Sequence, residues 1–166
     1  YYKTDNIMYP IILRVCYNLI PCVIYIVDLF VKYTTTVLNR YKGKVKYWLT
    51  FNEINMMEFM QSSTIGVLNA TEESKAQAAL HQFLASSLTV KAAHEISPDY
   101  QVGMMLCYMP LYAETCDPAD QLFVLKKAQE QFLFYSDVQM TGKYPNYKLM
   151  EYERKGISLK TEADDF

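Results

Sequence analysis

A β-strand that ends in two polar residues is predicted from Val45-Lys46-Tyr47-Trp48-Leu49-Thr50-Phe51-Asn52-Glu53. Every second residue from Val45 to Phe51 is apolar, and this period-two pattern is typical of a strand. The strand is therefore expected to end at Asn52 and Glu53.

Two elements are predicted before this strand. Cys22–Val27 is β-branched, aromatic and apolar on both faces, which is typical of a buried strand in a parallel sheet. From Asp28 onward, apolar residues recur every three or four positions, which predicts a helix that runs to Lys42 and stops at Gly43.

After the strand, a long loop with at most one short helical turn is predicted for Ile54–Ala70.

The second half of the chain repeats the alternation of helix and strand. Asn69 and Glu72 form a candidate capping box for an Ala-rich helix that ends near Ile96, before Ser97-Pro98. The next strand is predicted at Gln101–Cys107.

Two further helices follow. Asp117 and Pro118 supply an N-cap and a first-turn proline for a helix that continues to about Tyr135. A final helix over Tyr147–Lys155 is expected to stop at Gly156. Strands that alternate with long crossovers predict an α/β fold with parallel strands, so reactive residues are sought where strands end, at Asn52 and Glu53.

Composition excludes several classes of protein. The chain has 166 residues, of which 51% are apolar and 20% charged, so it is a globular chain of one domain rather than a disordered one. Sixteen basic and eighteen acidic residues give a net charge of −2, which argues against nucleic acid as a partner. The length is short of the roughly 250 residues of a complete eight-stranded α/β barrel.

Cysteine and histidine spacing does not predict a metal site. The sequence has no Cys-x-x-Cys motif and only two histidines, His81 and His94, which are expected to be structural. No signal peptide is recognised at the start, so reduced thiols and a cytoplasmic location are expected. The cysteines concerned are Cys16, Cys22, Cys107 and Cys116.

The most hydrophobic segment, Ile7–Val31, is a candidate membrane span. Only thirteen uncharged residues separate Arg14 from Asp28, and they include Pro21. A helix that spans a bilayer needs roughly 18 or more consecutive uncharged, mostly apolar residues, and typically about 20. A membrane role is therefore the weakest of the alternatives.

Several separated motifs resemble glycoside hydrolase family 1, in order, over the 139 residues from Asp28 to Phe166. Ile54-Asn55, directly after the glutamate, is similar to the 6-phospho-β-glucosidase branch of that family. The motifs that carry the resemblance are Tyr41–Glu53, His81–Ala85, Val90–Glu95, Asp137–Gln139 and Gly142–Pro145.

The resemblance implies a partial (β/α)8 TIM barrel, with about three parallel βα units around the third to fifth barrel strands. Residues 28–166 would form this partial barrel, and residues 1–27 would be a divergent apolar N-terminal segment with one buried strand. The implied activity is retaining hydrolysis of β-glucosides or 6-phospho-β-glucosides, with no cofactor and no metal.

The resemblance also implies roles for two residues. Glu53 would be the general acid/base, which protonates the leaving oxygen and then activates water, and Asn52 would hydrogen-bond the sugar 2-hydroxyl. No segment of the chain resembles the family's nucleophile, so this chain alone is expected to be inactive. Glu114 and Asp117 are candidates for a substitute carboxylate, although Asp117 is better explained as a helix cap.

An alternative interpretation is a non-catalytic barrel remnant that acts through protein association. The sheet edges and apolar helix faces of a partial barrel would be left uncovered, and open edges pair readily with other chains. Self-association through these edges is therefore a second expectation beside the glucoside substrate.

Overall fold

The computed structural model describes residues 21–60 and 69–161. The elements in chain order are helix α1 (Pro21–Arg40), strand β1 (Tyr47–Leu49), a 3-10 helix (Ile54–Glu58), helix α2 (Glu72–Ile96), strand β2 (Gln101–Gly103), helix α3 (Pro118–Ala128), a π-helical turn (Gln129–Leu133), helix α4 (Phe134–Thr141) and helix α5 (Asn146–Lys155).

Helix α1 corrects the first predicted strand. Cys22–Val27 is helical, because an apolar run without a clear period suits a buried helix as well as a strand. Pro21 stands at the first position of the helix, where its fixed φ angle is compatible and its missing N–H costs nothing. The helix continues through residues 27 and 28. The division of the chain into an N-terminal segment, residues 1–27, and a partial barrel, residues 28–166, stays a prediction.

Helix α2 packs between two parts of the fold. On one side Thr89 and Ala93 face α1, and the hydroxyl oxygens of Thr34 and Thr89 lie 3.1 Å apart. On the other side Ala79 and Phe83 join the largest buried cluster. The predicted helix is confirmed, and its placement between two neighbours explains why its apolar residues surround most of the circumference.

The cap of α2 differs from the prediction. Thr71, not Asn69, is the N-cap, and its side chain accepts a hydrogen bond of 3.1 Å from the backbone N–H of Ser74. Asn69 instead adopts a left-handed conformation with φ 58° in the turn before the helix. The predicted cap at Asn69 is therefore wrong: threonine is also a favoured N-cap residue, and asparagine tolerates the left-handed conformation that it has here.

The two strands form a parallel pair in which Tyr47, Trp48 and Leu49 face Gln101, Val102 and Gly103. With α2 as the crossover they make one β–α–β unit, as predicted. Both strands are shorter than the predicted Val45–Phe51 and Gln101–Cys107, because the chain leaves the ladder to build the turns described below.

One face of this small sheet is packed and the other is open. Trp48 and Val102 pack on the buried cluster of Leu38, Ala93 and Tyr100, and the Tyr100 hydroxyl donates a 2.8 Å hydrogen bond to the Leu38 carbonyl. On the opposite face the side chains of Tyr47 and Leu49 are 74% and 59% exposed.

The predicted helix from Asp117 to Tyr135 is confirmed in position but not in geometry. Asp117 is its N-cap, and one carboxylate oxygen accepts a 2.7 Å hydrogen bond from the Ala119 N–H. The helix is interrupted by the π-helical turn and then continues to Thr141. Helix α5 ends at Gly156, whose φ of 65° is the left-handed stop expected there.

Within residues 21–60 and 69–161, no helix is both long enough and apolar enough to cross a bilayer. Of the candidate span Ile7–Val31, residues 7–20 lie outside the described part of the chain.

Candidate functional site

The site predicted from the sequence lies in the turn that leaves β1. Glu53 follows the last strand residue by four positions and is half-buried, and Asn52 beside it is exposed. The carboxyl ends of β1 and β2 lie at one edge of the parallel pair, where ligands bind in sheets of this kind. The structure therefore places both residues at the expected edge.

Glu53 has an uncommon backbone conformation. Its φ and ψ angles are 50° and 54°, in the left-handed region. Its carbonyl accepts a 2.8 Å hydrogen bond from the Met56 N–H, so it stands at the N-cap of the 3-10 helix. Its side chain makes no capping hydrogen bond, which leaves the carboxyl group available to a ligand.

The chain before Glu53 is anchored by backbone, hydroxyl and ring contacts. The N–H of Thr50 donates to the Gly103 carbonyl at 3.3 Å, and its hydroxyl lies 2.7 Å from the Ser86 hydroxyl. The rings of Phe30 and Phe51 stack with centroids 4.7 Å apart and planes inclined by 8°. These contacts tie the exit of β1 to β2, α2 and α1.

The chain after Glu53 is anchored more firmly still. The Ile54 N–H donates to the Met105 carbonyl at 3.3 Å, and Ile54 is buried. The Asn55 side chain is fully buried and satisfies three backbone groups. Its Nδ2 donates to the carbonyls of Cys107 and Gln131 at 2.8 and 3.0 Å, and its Oδ1 accepts from the Cys107 N–H at 2.9 Å.

The free energies of the neighbouring contacts explain why a glutamate can hold this left-handed conformation. A left-handed backbone costs a residue other than glycine roughly 1–2 kcal/mol. Each of the three hydrogen bonds of Asn55 contributes about 0.5–1.5 kcal/mol, and the burial of Ile54 and Met57 adds to them. The anchors therefore outweigh the cost at Glu53.

The π-helical turn is part of this arrangement. Gln131, whose carbonyl accepts from Asn55, lies within it, and the rings of Phe132 and Tyr108 are 4.9 Å apart in an edge-on contact. Turns of this kind are rare and are often found at functional sites. The structural role of Asn55 was not predicted, because nothing in the sequence near it indicates partners 52 and 76 residues away.

The other residues considered from the sequence lie apart from any such arrangement. The ring of His81 shares a 2.8 Å hydrogen bond with Gln77, and His94 is exposed in the last turn of α2. Glu114 is exposed, and Asp117 is used as a helix cap. In the described part of the chain, no group of three His, Cys, Asp or Glu side chains could hold a metal ion.

A pocket does exist, but it lies elsewhere in the fold and its lining does not include Asn52 or Glu53. It is bounded by the start of α2, by α4 and by α5, and charged groups around it are paired. Lys155 contacts carboxylate oxygens of Glu72 and Glu151 at 3.1 and 2.7 Å. Because these charges satisfy one another across helices, we interpret the pocket as a structural junction.

The family model described as "Glycosyl hydrolase family 1" matches residues 24–166. Among curated proteins, the chain is 36% identical over 149 residues to "Aryl-phospho-beta-D-glucosidase BglA" of Bacillus subtilis (strain 168) and 41% identical over 145 residues to "6-phospho-beta-glucosidase AscB" of Escherichia coli (strain K12). Each match covers 84% of this chain and 31% or 30% of the relative, so the chain spans under a third of their length.

Solved structures give the same picture of the fold. The chain matches the "AHE enzyme from Alicyclobacillus herbarius" with a TM-score of 0.71 at 19% identity, and the "virulence factor SghA from Agrobacterium tumefaciens" with a TM-score of 0.67 at 24% identity. Each match covers 84% of this chain and 32% or 31% of the other. With the family match, they imply an α/β fold of the TIM-barrel type; the count of three βα units stays a prediction.

Proposed function

Because the chain belongs to glycosyl hydrolase family 1 and is similar to 6-phospho-β-glucosidases, we propose that it serves retaining hydrolysis of 6-phospho-β-glucosides. The single observation that carries the proposal is the placement of Glu53, half-buried and uncapped, at the carboxyl edge of the β–α–β unit. The reaction needs no cofactor, because two carboxyl groups supply its acid, base and nucleophile. Free Cys107 and Cys116 support a cytoplasmic location.

In this proposal Glu53 is the general acid/base and Asn52 is a substrate-binding residue. The acid protonates the glycosidic oxygen as the bond to the anomeric carbon breaks, and the resulting carboxylate later takes a proton from water. Asn52, exposed beside it, would donate a hydrogen bond to the sugar 2-hydroxyl, a contact that strengthens in the transition state.

The nucleophile is a second carboxylate, which retaining enzymes hold about 5–5.5 Å from the acid. None of the segments of this sequence resembles the family's nucleophile motif. We therefore expect the 166 residues alone to bind or orient part of a substrate without turning it over.

A second candidate function is supported by the open face of the sheet. Tyr47 and Leu49 on β1 are mostly exposed, and neither β1 nor β2 pairs with a further strand among the described residues. Such a face favours association with another polypeptide or with a second copy of the chain. A non-catalytic remnant of a barrel would act in this way, and light scattering would detect it as a concentration-dependent mass.

The catalytic proposal is tested in a chimera. The matching 145-residue segment of the Escherichia coli relative is replaced by that of this chain, and hydrolysis of 4-nitrophenyl 6-phospho-β-glucoside is measured. Glu53→Gln should lower kcat about 10²–10⁴-fold and remove the alkaline limb of the pH profile. The matched control is Glu95→Gln, at an exposed position near the end of α2.

Three outcomes separate the interpretations. An active chimera that loses activity with Glu53→Gln but not with Glu95→Gln supports the proposal. An active chimera that is insensitive to Glu53→Gln contradicts the role of Glu53. Turnover by the unmodified 166-residue chain would contradict the expectation that these residues alone are inactive.

A further inference from the structure

The side chain of Asn55 joins three segments that are distant in sequence. It follows Glu53 by two residues, and its amide group binds the loop after β2 at Cys107 and the π-helical turn at Gln131. It is fully buried, so water does not compete for these hydrogen bonds. The turn that carries Glu53 is thus fastened to two separate parts of the fold.

We propose that Asn55 is a positioning residue for Glu53: it holds the left-handed backbone at Glu53 and thereby fixes the direction of the carboxyl group. The inference deepens the proposed function and rests on it, because the direction matters only if Glu53 is the acid/base. Asn55 does not touch the reacting atoms and acts through the backbone of residues 53–55.

The geometry of the connecting backbone carries this inference. Only Ile54 separates the two residues, and its N–H is held by the Met105 carbonyl. If Glu53 relaxed to the right-handed region, residues 54 and 55 would change direction and the amide of Asn55 would leave both carbonyls. The conformation of Glu53 and the hydrogen bonds of Asn55 are therefore coupled.

The chemistry of the asparagine side chain suits this position. Its amide supplies two N–H donors and one carbonyl acceptor, which match two backbone carbonyls and one backbone N–H. An ionised aspartate of the same shape has acceptors only and would face two carbonyl oxygens. Alanine would remove the hydrogen-bond partner of all three backbone groups.

The test uses nuclear magnetic resonance on the full 166-residue chain. A left-handed residue has a short distance between its amide and α protons, so Glu53 should give a strong intraresidue cross-peak. In Asn55→Ala and Asn55→Asp this cross-peak should weaken several-fold, and the side-chain carbon shift of Glu53 should change. The matched control is Tyr100→Phe, which also removes a buried side-chain hydrogen bond, the one to Leu38.

A merely structural role predicts a different result. If Asn55 only satisfied buried groups, its variants would lose stability as Tyr100→Phe does, and the cross-peak of Glu53 would stay strong. That result overturns the proposal. Weakening in the Asn55 variants alone supports it.

The unsubstituted chain gives a measurement that does not depend on whether a variant folds. Both side-chain amide protons of Asn55 should exchange slowly with solvent and show coupling across the hydrogen bonds to Cys107 and Gln131. Fast exchange of both protons overturns the proposal. If Asn55→Ala does not fold, Asn55→Ser, which keeps a hydroxyl, takes its place in the comparison.

These readouts are separate from catalysis. If the activity of the chimera does not depend on Glu53, the proposed function is contradicted. The cross-peak of Glu53 would still test the positioning role of Asn55. If the activity of the chimera depends on Glu53 but the Glu53 cross-peak is unchanged in the Asn55 variants, only the inference about Asn55 is contradicted.

Discussion

The ammonium group of Lys148 lies 4.8 Å from the centre of the Phe134 ring, so a charged side chain is buried against the aromatic core. It is also 5.2 Å from the ring centre of Tyr152 and 3.1 Å from a carboxylate oxygen of Glu151. Only 8% of the Lys148 side chain is exposed. This contact fixes α5 to the end of the π-helical turn, where α4 begins.

The two partners of this ion pair should differ in their effect on stability. Glu151→Gln leaves a buried cation with a weaker partner and should lower the free energy of unfolding by about 1–3 kcal/mol, less than for a fully buried pair because Glu151 is partly exposed. Lys148→Met should cost less, about 1 kcal/mol, since Glu151 keeps Lys155 at 2.7 Å. Urea unfolding followed by circular dichroism measures both; the reverse order would contradict the argument.

Acid should weaken the junction between α2 and α5. Hydrogen bonds from Lys75 and then Lys155 hold the pKa of Glu72 below its usual value. Burial raises the pKa of Glu151, but hydrogen bonds from Lys155 and Lys148 more than offset this and the pKa is lowered. A carboxyl group with a lowered folded pKa adds stability above its unfolded pKa, and this is lost as the pH falls through the folded pKa.

The loss should therefore occur below the ordinary glutamate value of 4.5. Urea midpoints measured from about pH 6 to pH 3 should fall more steeply in the unsubstituted chain than in Glu72→Gln/Glu151→Gln. High salt should reduce the difference at the partly exposed Glu72. Equal pH dependence in the two proteins would refute this origin of the acid sensitivity.

Two tyrosines should resist ionisation in the folded chain. Burial raises the pKa of Tyr144, and burial followed by a 2.8 Å hydrogen bond to the Asp137 carboxylate raises that of Tyr147. Their contribution to stability is present below the unfolded pKa of about 10 and is lost as the pH rises above it. In an alkaline titration, both should ionise only when the chain unfolds.

Phenolate absorbance measures this directly. Tyr144→Phe and Tyr147→Phe should each remove one equivalent from the late step of the folded chain. The same titration in urea, where no late step is expected, is the control. A variant that leaves the late step unchanged would show that its tyrosine ionises earlier.

Truncation of Phe83 should lower the stability of the fold strongly. It is 7% exposed, and its ring meets those of Phe134, Tyr135 and Tyr144 at centroid distances between 5.5 and 6.1 Å. Phe83→Ala should lower the free energy of unfolding by about 3–5 kcal/mol, since it removes packing and leaves a cavity. Phe123→Ala, at a ring that is 62% exposed, is the matched control and should change it by at most about 0.5 kcal/mol. Similar losses of unfolding free energy in the two variants would contradict the assignment of Phe83 to the core.

Local signals in the sequence predicted much of this fold. The cap at Asp117, the stop at Gly156 and the crossover helix α2 each depend on residues close together in the chain, and all three are confirmed. The parallel pairing of β1 and β2 followed from the same alternation of elements. The placement of Glu53 at the strand exit was likewise a local consequence of where β1 ends.

Features that depend on distant contacts could not be predicted in this way. The run Cys22–Val27 is apolar on both faces, so the sequence alone does not distinguish a strand from a helix there, and the structure has a helix. The left-handed conformation of Glu53 is imposed by anchors at Met105, Cys107 and Gln131, which the sequence near Glu53 does not reveal. The π-helical turn has no local signature for the same reason.

The π-helical turn also limits how this chain can evolve. Such a turn holds one residue more than an α-helical turn, so deletion of any one residue in Gln129–Leu133 would restore regular α-helical winding. The helix beyond it would keep its orientation, because the wide turn accommodates its extra residue within one full turn. The rings of Phe134 and Tyr135 would stay against Phe83, but the wide turn that presents the Gln131 carbonyl to Asn55 would be lost. A single residue in this stretch thus decides whether the turn after β1 is held to this helix, while the aromatic core beyond it remains in register.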